Sequence, residues 1–307
     1  MKDTVTPKSF TLKSIPCAFC GPAPSKVLFK QRLATDSFNA YAFSARRARK
    51  RMHYRIVSCK QCGLIRSDPV LDQASIEALY AESVFLFKEE EKYAATTYAS
   101  LIQQLLPEIG GVEKNRRLLE IGCSTGFFLN EARRMGMDQS LGFEPSRECV
   151  QSAIPEVRPM IINDVYRPES IQGKTFDLIV SFHVFDHLID PVGLLESAVS
   201  KLRPGGHVLL VCHDAQALSA KILGSLSPIF DVEHIFLFSQ QTIGRLLNKA
   251  GLDIVKIGSL NNRYPLGYWL RMAPIVNKWV GFLPKSLAEK AIALNAGNLF
   301  AIGRKRD

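Results

Sequence analysis

The chain has 307 residues, 47% of them hydrophobic, with 39 Lys and Arg against 29 Asp and Glu for a net charge of +10. That length suits about two domains, and the absence of internal repeats or low-complexity runs argues against a solenoid or a disordered chain. Seven cysteines, an odd number with three scattered singles (Cys123, Cys149, Cys212), and no secretory leader argue against a disulfide framework and for a cytoplasmic setting.

The first element is a pair of knuckles, Cys17-x-x-Cys20 and Cys59-x-x-Cys62. Two thiolates two residues apart grip one Zn²⁺ from a tight turn, and two such turns complete a closed tetrahedral structural site. Gly21 and Gly63 follow the pairs directly and permit those turns; free buried thiols are the other reading of the four cysteines. The 38 residues between Cys20 and Cys59 exceed the ~15–20 of a compact ribbon, so an insertion is expected there. It carries the densest basic run, Arg46-Arg47-Ala48-Arg49-Lys50-Arg51. A basic ribbon is a nucleic-acid footprint, although a solvated basic loop explains such a run as well. Zinc on the scale of ~10–16 kcal/mol would hold a unit with little core together, so its removal is expected to unfold residues 1–70 and spare the rest.

Asp68-Pro69 marks the join to residues 71–111, a helical linker and cap. Here Asp72 to Phe87 reads as one helix and Glu89 to Leu106 as a second. The third unit, 112–307, opens with the strand and turn Leu118-Leu119-Glu120-Ile121-Gly122-Cys123-Ser124-Thr125-Gly126. In a dinucleotide fingerprint, glycines at the first and third motif positions bring backbone onto a pyrophosphate. Here Glu120 and Thr125 stand at those positions. A carboxylate there repels a diphosphate but suits the sulfonium and amino group of S-adenosylmethionine, and Gly122 and Gly126 leave room for its methionine end. An ordinary turn would carry the same glycines.

The order of the downstream motifs favours the cofactor. After the helical Phe127 to Met135, Leu141-Gly142-Phe143-Glu144 ends a strand in an acid about 20 residues past the glycines, the place of a ribose-binding carboxylate. Met160 to Asp164 runs another strand into Asp164, which would accept from an adenine amino group. Phe176 to Ser181 and Leu202 to Val211, the latter entered through Pro204-Gly205-Gly206, continue the strand–helix alternation of a parallel doubly wound sheet.

From Asn115 to about Asp253 these motifs resemble, in family order, a class I S-adenosylmethionine-dependent methyltransferase. The resemblance implies an α/β fold: a doubly wound Rossmann-like methyltransferase sheet with a closing antiparallel hairpin at Gly251–Leu260 and Asn298–Arg304, plus a small N-terminal zinc ribbon. It implies S-adenosylmethionine held by Glu120, Gly122, Cys123, Gly126, Glu144, Asp164 and Ser181, with Cys17, Cys20, Cys59 and Cys62 on Zn²⁺. The ribbon segment Cys59 to Ile65, with Asp68-Pro69-Val70 and Ile76 to Tyr80, is similar to the zinc ribbon of methyltransferases of sugar and glycan biosynthesis, nucleotide-sugar C-methyltransferases among them. This chain lacks the large C-terminal domain of the latter.

In those enzymes a His after the fourth strand and a Glu-His pair line the acceptor pocket, which His183, Glu233 and His234 match; Asp231 stands where they have a Tyr. Each of the three can take a proton from a sugar hydroxyl or from a carbon beside a ketone. Asp186, His187 and Asp190 come shortly after His183, but polar residues at a helix start often only cap it. The aromatic stretch Tyr264 to Pro284 is too interrupted to span a membrane. It reads as a lid over the acceptor or as a peripheral membrane contact. The expected activity is methyl transfer to a small sugar-type acceptor; the rivals are an rRNA methyltransferase and an inactive nucleic-acid-binding protein. The oligomeric state is left open.

Overall fold

A computed structural model of the protein describes residues 10–33, 38–44, 52–85, 90–111, 116–272 and 283–306. The basic run 46–51 and residues 273–282 of the aromatic stretch lie outside the described residues.

The N-terminal part is built from β1 (Leu12–Lys13), β2 (Ser25–Phe29), β3 (Ile56–Cys59), β4 (Ile65–Ser67) and β5 (Val70–Leu71). β2, β3 and β4 form an antiparallel meander, and β1 pairs with β5. Asp72 caps α1 (Gln73–Ala81), accepting from Ser75 N at 2.9 Å. The helix stops at Ala81: Glu82 N and Ser83 N still donate to Ala78 O and Tyr80 O, but Val84 N donates to Ser44 Oγ and Phe85 N to Glu148 Oε1, and residues 86–87 of the expected run lie outside the described residues. α2 (Glu91–Leu105) comes next, close to its expected bounds.

The body continues with β6 (Arg117–Ile121), α3 (Phe127–Arg134), β7 (Gln139–Phe143), α4 (Arg147–Ser152), β8 (Ile161–Ile162), β9 (Phe176–Phe182), α5 (Pro191–Ser200), β10 (Leu202–His213) and α6 (Leu218–Leu223). Then come β11 (Phe236–Leu237), α7 (Gln240–Lys249), β12 (Leu252–Pro265), α8 (Leu266–Met272), α9 (Lys285–Ala288) and β13 (Ala291–Lys305). Seven strands make one sheet in the order β12-β13-β10-β9-β6-β7-β8. β13 runs antiparallel to both neighbours and the others are parallel. The doubly wound sheet and its antiparallel closing pair are therefore as expected. The Pro204-Gly205-Gly206 turn is a bulge inside β10, with the register against β9 shifting between Leu202 and His207.

Strand side chains alternate between faces, and both faces are covered. Leu119, Ile179, Val208 and Leu210 join one apolar cluster with Leu195 of α5 and Ile243 and Leu246 of α7. Leu118, Leu178, Val180 and Leu209 join the other with Leu101 of α2 and Phe128 and Leu129 of α3. α2 thus belongs to the packed body; Tyr98 stacks on Phe182 at 4.0 Å, and Arg263 N donates to Thr97 Oγ1.

The ribbon is not a free-standing unit. β11, from the body, pairs antiparallel with β4, Phe236 opposite Arg66, and completes a four-stranded sheet β11-β4-β3-β2. Ser67 N donates to Ile235 O at 2.8 Å. Tyr54, Leu64 and Val70 share the cluster of Val232, Ile235 and Phe238. This shared sheet and core link residues 1–70 to the body, so the effect of zinc loss is not expected to stop at residue 70.

Candidate active site and zinc cluster

The C-terminal ends of the parallel strands open onto a cavity of about 840 Å³, near the top of the ~300–1,000 Å³ range of small-molecule sites. At one end Glu120, on β6, is buried, and its Oε2 has no hydrogen-bond partner. Burial, and then the charge of Glu144, hold it well above the usual carboxylate range. A buried carboxylate without a donor is stabilised by a cation, so this atom fits the positive methionine end of S-adenosylmethionine.

The turn after Glu120 is shaped by two close approaches. Gly122 has φ +77°, and a Cβ there would fall 2.3 Å from Val184 Cγ2. Ser124 is also left-handed, φ 52°, which aims its N–H at Glu144 Oε2, 2.8 Å away, while Ser146 N donates to Oε1 at 2.8 Å. Burial pushes Glu144 up to about 7 against the pull of these two amides. Each of its oxygens keeps a lone pair for a ribose hydroxyl.

Glu120, Gly122 and Glu144 line the cavity together; four other expected cofactor residues do not line it. Cys123 is fully buried, its Sγ packed where a Cβ on Gly142 would stand. Gly126 lets the start of α3 pass close to Val157. Ser181 Oγ donates to Ile121 O at 3.0 Å and ties β9 to β6. Asp164 is exposed, accepts from Val165 N and lies 3.6 Å from Arg167 Nε; Val165, Tyr166 and Arg167 line the cavity in its place. The reason is local: β8 is only two residues long, so Asp164 turns outward two residues after it ends.

At the other end His183, Glu233 and His234 all reach the cavity. His183 sits just past β9 with φ 56°, a conformation uncommon for a non-glycine residue and one that clusters at functional sites. Its N–H donates to Val211 O at 2.7 Å, so the strained residue is anchored to β10. His234 is buried and its Nδ1 lies 2.6 Å from Ile229 O, which fixes Nδ1 as the protonated nitrogen.

Asp186 and His213 carry more of this site than the sequence suggests. Asp186 does not cap a helix; that is the work of Asp190, which accepts from Gly193 N at 2.9 Å at the start of α5. Asp186 is fully buried, with Oδ2 2.5 Å from His213 Nδ1. Burial pushes its carboxyl up, but the charges of His187 and His213 outweigh that and hold it well below the usual range. The His213 ring lies 4.5 Å from those of both His183 and His234. The available signal was topological: β9 and β10 are parallel neighbours, so the residues past their C-terminal ends share one site.

Over this end lie Tyr264, Tyr268 and Trp269. Tyr264 and Tyr268 stack at 4.4 Å, and Trp269 Nε1 donates to Ile292 O. No helix among the described residues is long and apolar enough to cross a membrane.

In the ribbon, the sulfurs of Cys17, Cys20, Cys59 and Cys62 lie within 4.8 Å of one another, with Cys17 Sγ 3.5 Å from Cys62 Sγ. Four thiolates about 2.3 Å from one ion stand roughly 3.8 Å apart, while a disulfide would need about 2.05 Å; the set fits zinc. Gly21 and Gly63 have φ +66° and +76° and donate to Cys17 O and Cys59 O, closing each knuckle as expected.

The profile of the methyltransferase domain family matches residues 90–257, more than half of the chain. The protein is a class I S-adenosylmethionine-dependent methyltransferase. An uncharacterised methyltransferase of Schizosaccharomyces pombe is 28% identical to it over 195 residues, 56% of this chain and 67% of that protein. A ubiquinone biosynthesis O-methyltransferase of Alkalilimnicola ehrlichii is 26% identical over 33% of this methyltransferase and 42% of its own length. A tRNA U34 carboxymethyltransferase of Trichodesmium erythraeum is 28% identical over 36% and 35%. The chain thus spans less than half of the latter two. A candidate methyltransferase of Bacillus halodurans shares the fold, with a TM-score of 0.50 at 14% identity over 68% of this chain and 99% of that one.

Proposed function

We propose that this methyltransferase methylates a small polyhydroxylated acceptor of the sugar or nucleotide-sugar class. The observation that carries the reading is the polar ring of His183, His213, Glu233 and His234 at the far end of a cavity whose near end holds the acid pair Glu120 and Glu144. Such a ring offers several donors and acceptors to a molecule rich in hydroxyls, where an apolar aromatic acceptor would leave them unmet.

The bound cofactor supplies an electrophilic methyl group for in-line displacement. Glu120 offsets positive charge at the methionine end, and Glu144 accepts from the ribose. The main task of the remaining residues is alignment. Where the acceptor atom carries a proton, His213 is a candidate base besides His183, Glu233 and His234, because Asp186 holds its Nδ1 and so orients its ring. Tyr264, Tyr268 and Trp269 act as a lid that excludes water, the reading we prefer over a membrane contact because all three side chains line the cavity.

Incubation with methyl-labelled cofactor and a panel of sugar nucleotides, with subsequent separation of small molecules from RNA, tests the proposal. Label in a sugar product is expected; label confined to RNA would establish the nucleic-acid reading instead.

A further inference from the structure

The His and Asp side chains at the acceptor end do more than the proposed base chemistry requires. One ligand atom each from Asp186, His187 and His234 lies within 4.8 Å of the others. Asp186 is fully buried, and its Oδ1 has no hydrogen-bond partner. His187 Nε2 stands 3.7 Å from that oxygen, too far for a hydrogen bond. Two donors each about 2.1 Å from one ion, at 90–120° to each other, lie roughly 3.0–3.6 Å apart. The observed gap is within a few tenths of an ångström of that spacing.

The neighbouring hydrogen bonds are those of an ion site. Metal-bound imidazoles use their second ring nitrogen to hold the ring in place. His187 Nδ1 lies 2.8 Å from Tyr80 Oη, with the two rings stacked 8° from parallel. His234 Nδ1 meets Ile229 O at 2.6 Å. The other carboxylate oxygen, Asp186 Oδ2, is held by His213 at 2.5 Å. That short contact leaves no room for an ion between Asp186 and His213, which selects the side of the carboxylate facing His187 and His234.

From this geometry we infer a second metal site, distinct from the four cysteines, in which Asp186, His187 and His234 bind one first-row divalent cation and leave its remaining positions open to the cavity. Two imidazoles and one carboxylate favour a borderline ion such as Zn²⁺, Fe²⁺, Co²⁺ or Mn²⁺ over Ca²⁺. The open positions face the space assigned to the acceptor, so the ligand class is an oxygen donor, best a vicinal diol or hydroxy-carbonyl that chelates. The site stands on geometry alone; its role as an acceptor anchor rests on the methyl-transfer reading above, and with an ion bound His234 is a ligand, which leaves His183, His213 and Glu233 as the candidate bases.

The test uses the full chain with its ribbon zinc in place, titrated with Co²⁺ and monitored by visible absorption and elemental analysis. One further equivalent of cobalt is expected, giving d–d bands without the intense sulfur charge-transfer bands of a thiolate site. His187→Ala and Asp186→Asn should each weaken it by about 100-fold or more while one zinc per chain remains. Calorimetry with S-adenosylhomocysteine reports in parallel on the cofactor site, so loss of cobalt binding with intact cofactor binding counts against the metal alone. No cobalt taken up beyond the zinc already present, cobalt bound with sulfur bands, or uptake unchanged in both variants would overturn the inference.

Discussion

The hydroxyl of Ser67, in the ribbon strand β4, donates to the backbone carbonyl of His234 at 2.7 Å. The two residues are 167 positions apart, yet this bond and the β4–β11 pairing lock the cavity-lining His234 to the sheet that carries Cys59. The ribbon sheet therefore backs the part of the cavity wall that carries His234.

Zinc loss should accordingly be felt at His234. Chelation, or Cys59→Ser, is expected to release β11, raise amide exchange across residues 233–237 and abolish turnover. S-adenosylhomocysteine affinity should stay within a few-fold, since Glu120 and Glu144 lie on β6 and just past β7. Retained turnover in a metal-free protein would disprove the coupling.

Glu120→Gln should move two quantities in opposite directions. Removing a buried carboxyl that is costly to ionise is expected to stabilise the unliganded protein at neutral pH. Cofactor affinity should fall at least ~10-fold, about 1.4 kcal/mol, and more for S-adenosylmethionine than for its uncharged-sulfur product. Thermal melts with and without ligand read both; a lower melting point with unchanged affinity would rule out the charge role.

Glu144 contributes one step to the pH dependence of binding, beside that of the strongly raised Glu120. Its pKa rises from 4.5 to about 7 on folding, so its contribution to stability is full below the unfolded value and is lost as pH rises through about 7. Ribose hydroxyls prefer the ionised acid as acceptor. Through Glu144, cofactor affinity should therefore increase from about pH 5 to 7, with proton release on binding in that window. Calorimetry in buffers of different ionisation heat measures the release, and Glu144→Gln should flatten the profile.

Testing His183 requires a replacement that tolerates its backbone. Ala at φ 56° adds strain, whereas Asn visits the left-handed region readily. His183→Asn is expected to lower kcat by ~10²–10⁴-fold if the imidazole is the base, with S-adenosylhomocysteine affinity unchanged. An equal loss of both would mean that the residue only holds the loop.

The meeting of Glu120, Gly122 and Glu144 at one end of the cavity was legible in the chain because its signals are local. A strand, an acid, a turn of glycines and a second acid about 20 residues on are contiguous, and backbone geometry alone carries Glu120 and Glu144 to adjacent strand ends. Cys123 and Ser181 share that neighbourhood but face the core, since strand alternation and a single left-handed residue decide which side chains turn inward. Asp186 illustrates the limit. In sequence it is a polar residue ahead of a helix; in space it is the fully buried centre of four imidazoles from three separate segments.

By itself the sequence determined the methyltransferase sheet, the cysteine knuckles and the paired acids, because hydrophobic periodicity and short-range turn chemistry act over a few tens of residues. The tertiary structure decided that β11 closes the ribbon's sheet and that His187, His213 and His234 surround Asp186. Those arrangements come from two-residue pairings and side-chain packing across distant parts of the chain, which only the folded core brings within reach.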